Sequence, residues 1–167
     1  AKGRFWGGNE IQVFDSNSDE IIKTIVTEET LNSFEIENGV LYALSSNKLE
    51  KIDLATGDLL VEIDINSEAG NASNLKIEDD LIYYTIGNSV FMMNENAEMA
   101  PEEAIFSYTS NSDYGVMYGF EVEDDRIYIA DGGDFSSNSF VEIYTTNGEL
   151  IENIEVGVGP NGFYFND

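Results

Sequence analysis

The chain contains neither cysteine nor histidine. Without cysteine there is no disulfide framework and no thiol nucleophile, and redox chemistry gives no clue to compartment. Without an imidazole, no histidine base is available to activate a serine or threonine. Cations are scarce as well: 7 Lys and Arg stand against 33 Asp and Glu, a net charge of −26. That charge repels nucleic-acid phosphates and anionic membrane surfaces, so nucleic acid is excluded as a direct partner. After Lys76 the one remaining cation is Arg126. No apolar run approaches the roughly 18 residues of a membrane-spanning helix, so direct membrane insertion is not expected. The opening AKGRFWGG lacks the regions of a signal peptide, and the missing initiator Met suggests a processed or truncated chain, with room for a lipid anchor upstream. A phosphate-cradling loop of the GxxxxGK(S/T) type is also absent.

What is present is enough apolar material for one folded domain: 42% of the 167 residues are hydrophobic and 12% aromatic. One pattern recurs in SFEIENGVLYAL (33–44), NLKIEDDLIYYT (74–85) and GFEVEDDRIYIA (119–130). Each copy runs apolar, x, apolar, acid, then two turn residues, then a strand carrying Tyr. The alternation of Phe34 with Ile36, Leu75 with Ile77 and Phe120 with Val122 has period two, and Asn38-Gly39, Asp79-Asp80 and Asp124-Asp125 tolerate tight-turn dihedrals, so each copy reads as a hairpin. The closing GFYFND (162–167) begins the pattern a fourth time and stops at the turn.

Equivalent positions Phe34, Leu75, Phe120 and Phe163 fall 41, 45 and 43 residues apart. Each interval also holds a second hairpin, at 49–65, 90–108 and 140–156, and another precedes the first interval at 11–26. Thr56-Gly57 and Asn147-Gly148 are strong turns, whereas NENAEMAPEE, with Pro101, predicts a longer and looser connection. A repeat of this length made only of strands points to an all-β fold, a β-propeller of four-stranded antiparallel blades. Helical repeats of similar length fail, because no 3.6-residue apolar stripe is sustained. The repeats span approximately 1–29, 30–70, 71–115 and 116–161, with a closing strand at 162–167, about four blades in a single domain. The end of the chain supplies an innermost strand A and GRFWGG near its start a strand B, so joining them would complete one blade and close the ring.

IYIADGGDFSSNSFVEIYTTNGELIENIEVGVGPNGFYF resembles the C-terminal part of bacterial cell-surface β-propellers with YVTN-type, or surface-layer-like, repeats. IYIAD is similar to the signature strand, VEIYTTNGELIENIEVG to the strand, turn and strand that follow, and VGVGPNGFYF to the link into the next inner strand; weaker copies persist at VFDSNSDEIIKTI and KIDLATGDLLVEI. Members of that group usually have seven blades, roughly 300 residues at this repeat length. The resemblance therefore implies the C-terminal half of a seven-bladed ring, and a location at the cell surface or in the periplasm, associated with the outer membrane.

The topology sorts the loops. One rim receives the tight turns and their acids, among them Glu37, Glu78, Asp79, Asp80, Glu123, Asp124 and Asp125. The other receives TEETLNS, NSEAGNASN, TSNSDYGVMYG, DGGDFSSNS and GVGPNG, longer loops that mix Asn, Ser and Gly with aromatics, the composition of partner-binding surfaces. Partner-binding residues are expected there: Tyr114, Tyr118, Asp131, Asp134, Phe135 and Asn161. Asp131 and Asp134 also flank two glycines and would offer carboxylates to a hard cation. Asp15, Asn17 and Asp19 mimic the start of a calcium loop, but Glu20 stands where Gly belongs and Val26 where Glu belongs, so DSNSDE reads as a hairpin turn. Tyr42, Tyr83 and Tyr128 fit packing between blades, and Trp6 fits either packing under the closing strand or the binding face. The expected function is non-enzymatic: a protein-binding scaffold, with a protein partner and no resident cofactor, as an accessory subunit of an outer-membrane transport or secretion complex. The alternatives are a calcium-dependent lactonase-like hydrolase and a calcium-stabilised adhesion or ligand-binding module.

Overall fold

A computed structural model describes residues 8–66, 68, 70–110, 112–113 and 115–166. Among them every regular element is a strand: β1 (Glu10–Asp15), β2 (Glu20–Val26), β3 (Ser33–Glu37), β4 (Val40–Leu44), β5 (Lys48–Asp53), β6 (Leu59–Asp64) and β7 (Ala72–Glu78), then β8 (Leu81–Ile86), β9 (Ser89–Asn94), β10 (Phe106–Ser107), β11 (Met117–Glu123), β12 (Arg126–Asp131), β13 (Ser139–Thr145) and β14 (Leu150–Val156). No helix among the described residues is long and apolar enough to cross a membrane. The strands form four sheets, β1-β2, β3-β4-β5-β6, β7-β8-β9-β10 and β11-β12-β13-β14; within them β1-β2, β3 to β6, β8 to β10 and β11 to β14 pair antiparallel. The three four-stranded sheets are the expected blades.

Local chemistry explains the repeated inner hairpins. In all three, both central residues of the two-residue turn have positive φ: Asn38 48° and Gly39 80°, Asp79 47° and Asp80 62°, Asp124 51° and Asp125 58°. This is the turn whose twist matches that of the flanking strands, and Asn, Asp and Gly are the residues that adopt it at least cost. The outer hairpin of the β7–β10 sheet, which lacks such a turn, is poor. The connection through Pro101 runs from Asn94 to Phe106, and β10 pairs with β9 only through Phe106 opposite Val90 and Ser107 opposite Ser89.

The chain forms two compact units, residues 1–75 with 97–100 and residues 76–96 with 101–167. In the first, Ile11 and Ile25 of the β1-β2 sheet pack with Leu31 and with Leu41, Ala43 and Ile52 of the β3–β6 sheet. In the second, Tyr83 and Val90 meet Phe120, Val122, Ile127, Ile129 and Tyr144 of the β11–β14 sheet, with Tyr108 and Met117 in the same cluster. Sheets stacked face to face through aromatic and β-branched side chains are how propeller blades bury their apolar surface. Of the three repeated tyrosines, Tyr83 is buried within the cluster of the second unit, Tyr42 is buried as well, and Tyr128 is only partly buried.

Two expectations fall at the ends. GRFWGG and Trp6 lie almost wholly outside the described residues, and β1-β2 therefore stands as a two-stranded sheet. The closing segment forms no strand over 162–166. Phe163 and Phe165 instead rest on Tyr128, with ring centroids 5.6 and 5.0 Å away, while Tyr164 between them is 91% exposed. The two-residue alternation of an extended chain survives, but a strand needs a neighbour's backbone to pair with, and among the described residues no strand pairs with these.

Candidate functional site

The loop end of the β11–β14 sheet is where sequence-expected residues converge. β11 and β12 pair Met117 with Asp131 and Gly119 with Ala130, so Tyr118 is bulged out between them. A bulge re-aims a side chain, and Tyr118 is 48% exposed. Its ring meets that of Phe135 edge to face, at 5.0 Å and 86°. Phe135 is 52% exposed and holds a φ of +55°, a left-handed conformation that a bulky side chain seldom adopts. Gly132 makes room beneath it: a Cβ there would lie 2.7 Å from Phe135 Cζ and 3.2 Å from Tyr118 Cβ.

The loop carrying this pair is pinned from below. Asp131 is completely buried; its Oδ2 accepts a hydrogen bond from the buried Tyr108 hydroxyl and its Oδ1 accepts one from Gly133 N at 2.7 Å. The Asp131 carbonyl accepts from Ser139 Oγ at 2.7 Å, closing the base of the loop. Burial, reinforced by the Asp131 carboxylate, pushes the Tyr108 hydroxyl far above its usual range and keeps its proton in this bond. Gly115 has no room for a side chain, since a Cβ would collide with Ser110 Oγ and lie 2.7 Å from Asp131 Oδ2. At the exposed tip, Asp134 Oδ1 accepts from the backbone N of Ser136 at 2.9 Å and of Ser137 at 2.8 Å. These bonds lower its carboxyl to about 2.

Of the six expected partner-binding residues, Tyr118, Asp134 and Phe135 are thus gathered on one loop end. Asn161 is exposed, and its backbone runs against the start of β11, where a Cβ on Gly119 would meet the Asn161 carbonyl carbon at 2.7 Å. Tyr114 lies outside the described residues. Asp131 is placed beneath the surface, as the support of the loop. Tyr108, Ser139, Gly115 and Gly119 were not foreseen. The only local signal was the D-G-G turn, in which Asp accepts from the N–H two residues on.

Glu142, also buried, accepts from the Tyr144 hydroxyl and from Asn153 Nδ2 at 2.7 Å. Asp15 Oδ1 accepts from Asn17 N at 2.8 Å, and Asp19 N donates to the Asp15 carbonyl at 2.9 Å, the bonding of a hairpin turn. Among the described residues no three Asp or Glu side chains are grouped to hold a metal ion. At the turn end, the Glu78 carboxyl is held above its ordinary range by burial and by Glu123, Asp79 and Asp124, against an opposing hydrogen bond from Asp124 N.

No protein-family model matches the sequence, and no curated protein sequence does. Solved structures match the fold. Hydrazine synthase of Kuenenia stuttgartiensis superposes with a TM-score of 0.65 at 12% identity, over 89% of this chain and 44% of its own. BamB from Moraxella catarrhalis gives 0.56 at 17% identity, over 95% and 47%. The β-propeller domain of Cps50 from Myceliophthora thermophila gives 0.63 at 9%, over 90% and 50%. The chain spans half or less of each. Together with the repeated four-stranded sheets these likenesses define the fold as that of a β-propeller.

Proposed function

We propose that this chain belongs to a non-enzymatic β-propeller that binds a protein partner through the loop end of its β11–β14 sheet. One observation carries the proposal: two half-exposed aromatic rings, Tyr118 and Phe135, are held on a loop whose base is a fully buried carboxylate. Rigid exposed aromatics lose little conformational entropy on binding and dominate many interfaces. Resemblance of residues 127–165 to YVTN-type propellers supports a place at the bacterial cell surface or in the periplasm. An accessory role in an outer-membrane transport or secretion assembly is consistent with that place.

Affinity capture from a cell-envelope extract tests this. Tyr118→Ala with Phe135→Ala is expected to abolish recovery of the partner, while Asp124→Asn with Asp125→Asn at the opposite end leaves it intact. Equal recovery by both variants would overturn the assignment.

The enzymatic reading has one observation in its favour, namely that a matching fold is the hydrazine synthase. Its calcium-dependent form requires cation binding by the native chain. Calorimetric titration with calcium would then release or absorb heat and raise Tm, because a ligand of the native state alone stabilises it.

A further inference from the structure

We propose that the Tyr118–Phe135 pair receives a cationic, arginine-bearing segment of the protein partner. This rests on the proposed function and specifies the chemistry of the same site. Aromatic ring faces carry partial negative charge and attract guanidinium and ammonium groups. Both rings are about half exposed, so the pair offers aromatic surface to solvent. Carboxylates lie on the same end of the sheet: Asp134 adjoins Phe135 in the chain, Asp113 is exposed on the loop before β11, and Glu155 of β14 accepts from Asn138 Nδ2 at 3.3 Å.

Among the described residues, no Lys or Arg is paired with those charges. The cations of this unit are Lys76, which is paired with Glu121 at 2.9 Å, and Arg126, at the far end of β12. Five residue steps at ~3.3 Å separate Arg126 from Asp131. The end that bears the aromatic pair therefore has acids and no Lys or Arg among the described residues. Arginine suits it better than lysine, being planar, less strongly hydrated and able to stack on a ring while its N–H groups reach a carboxylate. The net charge of −26 would speed the approach of such a segment.

The test is an NMR titration of the intact chain at 150 mM salt with three blocked peptides. One is acetyl-Gly-Arg-Gly-Arg-Gly-amide; the others replace both arginines by citrulline or by norleucine. The arginine peptide is expected to shift the ring resonances of Tyr118 and Phe135. It should bind roughly five- to thirty-fold more tightly than the citrulline peptide, and Phe135→Leu should remove most of that difference. Asp124→Asn with Asp125→Asn, which takes two charges from the turn end, should leave it unchanged. Equal binding of the norleucine or citrulline peptide at the rings would overturn the cationic assignment and leave the protein-binding platform standing. Shifts scattered over the acidic surface and insensitive to Phe135→Leu would overturn it too. Failure of the platform itself is separate: partner recovery would then survive Tyr118→Ala with Phe135→Ala.

Discussion

The two ends of the β11–β14 sheet use acidic residues in opposite ways. At the turn end, Asp124 and Asp125 are exposed and both have positive φ, and Asp124, with Glu123 and Asp79, adds to burial in raising the cost of ionising Glu78. Their arrangement follows from the needs of a two-residue turn, and the repulsion is tolerated because water screens it. At the loop end two acids have assigned donors: Asp131 those of Tyr108 and Gly133, Asp134 those of Ser136 and Ser137. Above them stand two aromatic rings in a geometry that includes an unfavourable φ at Phe135. Solvated charge and a tight turn describe the first end fully. The second holds bulky apolar surface in water at a conformational cost, and the proposed binding surface rests on that difference.

The largest contrast is expected from removing one carboxylate at each end. Asp131→Ala strips the buried Tyr108 hydroxyl and Gly133 N–H of their acceptor, and unfolding in urea should show a loss of about 2–4 kcal/mol. A comparable loss on Asp125→Ala would erase the distinction between the ends. A smaller effect of opposite sign is expected from Asp125→Gly. It relieves a left-handed residue and removes a repelling charge, and should gain about 0.5–1 kcal/mol by the same measurement.

The smallest effects lie in the pH dependence, and they differ in sign. Asp134 has a folded-state carboxyl lowered from 3.8 to about 2, so its contribution is complete above 3.8 and is lost as pH falls towards 2. Glu78 is raised above 4.5, chiefly by burial, so the folded state favours its protonated form, and stability falls as pH rises through 4.5 towards the raised value. Melting curves from pH 2 to 7 should show Asp134→Asn flattening the acid limb. Glu78→Gln should raise Tm above pH 5 and leave it unchanged at pH 3. An identical response of the two variants would contradict the assignment of different roles.

The hairpins were legible because their determinants are local. Period-two alternation and the pairs Asn38-Gly39, Asp79-Asp80 and Asp124-Asp125 specify strand, turn and strand within a dozen residues, and Pro101 marked the one defective hairpin in advance. Tyr118, Asp134 and Phe135 could be assigned to one end because strand direction alone sorts the loops. The inner part of the site was hidden. Tyr108 and Asp131 are 23 residues apart, and their meeting depends on how two sheets stack, which no local pattern encodes. DGGD presents two carboxylates that look equivalent, yet one is sealed under the sheet and the other caps the tip. GFYFND matches the start of an inner strand for a similar reason: alternation is local, whereas pairing requires a neighbour.

The most direct test of the comparison is photo-crosslinking from benzoylphenylalanine placed at position 135 or at position 125. The account predicts one discrete protein adduct in cell-envelope extract from position 135, absent when Tyr118 is also changed to Ala, and none from position 125. An adduct from position 125 of equal or greater yield would place the contact at the turn end and contradict it.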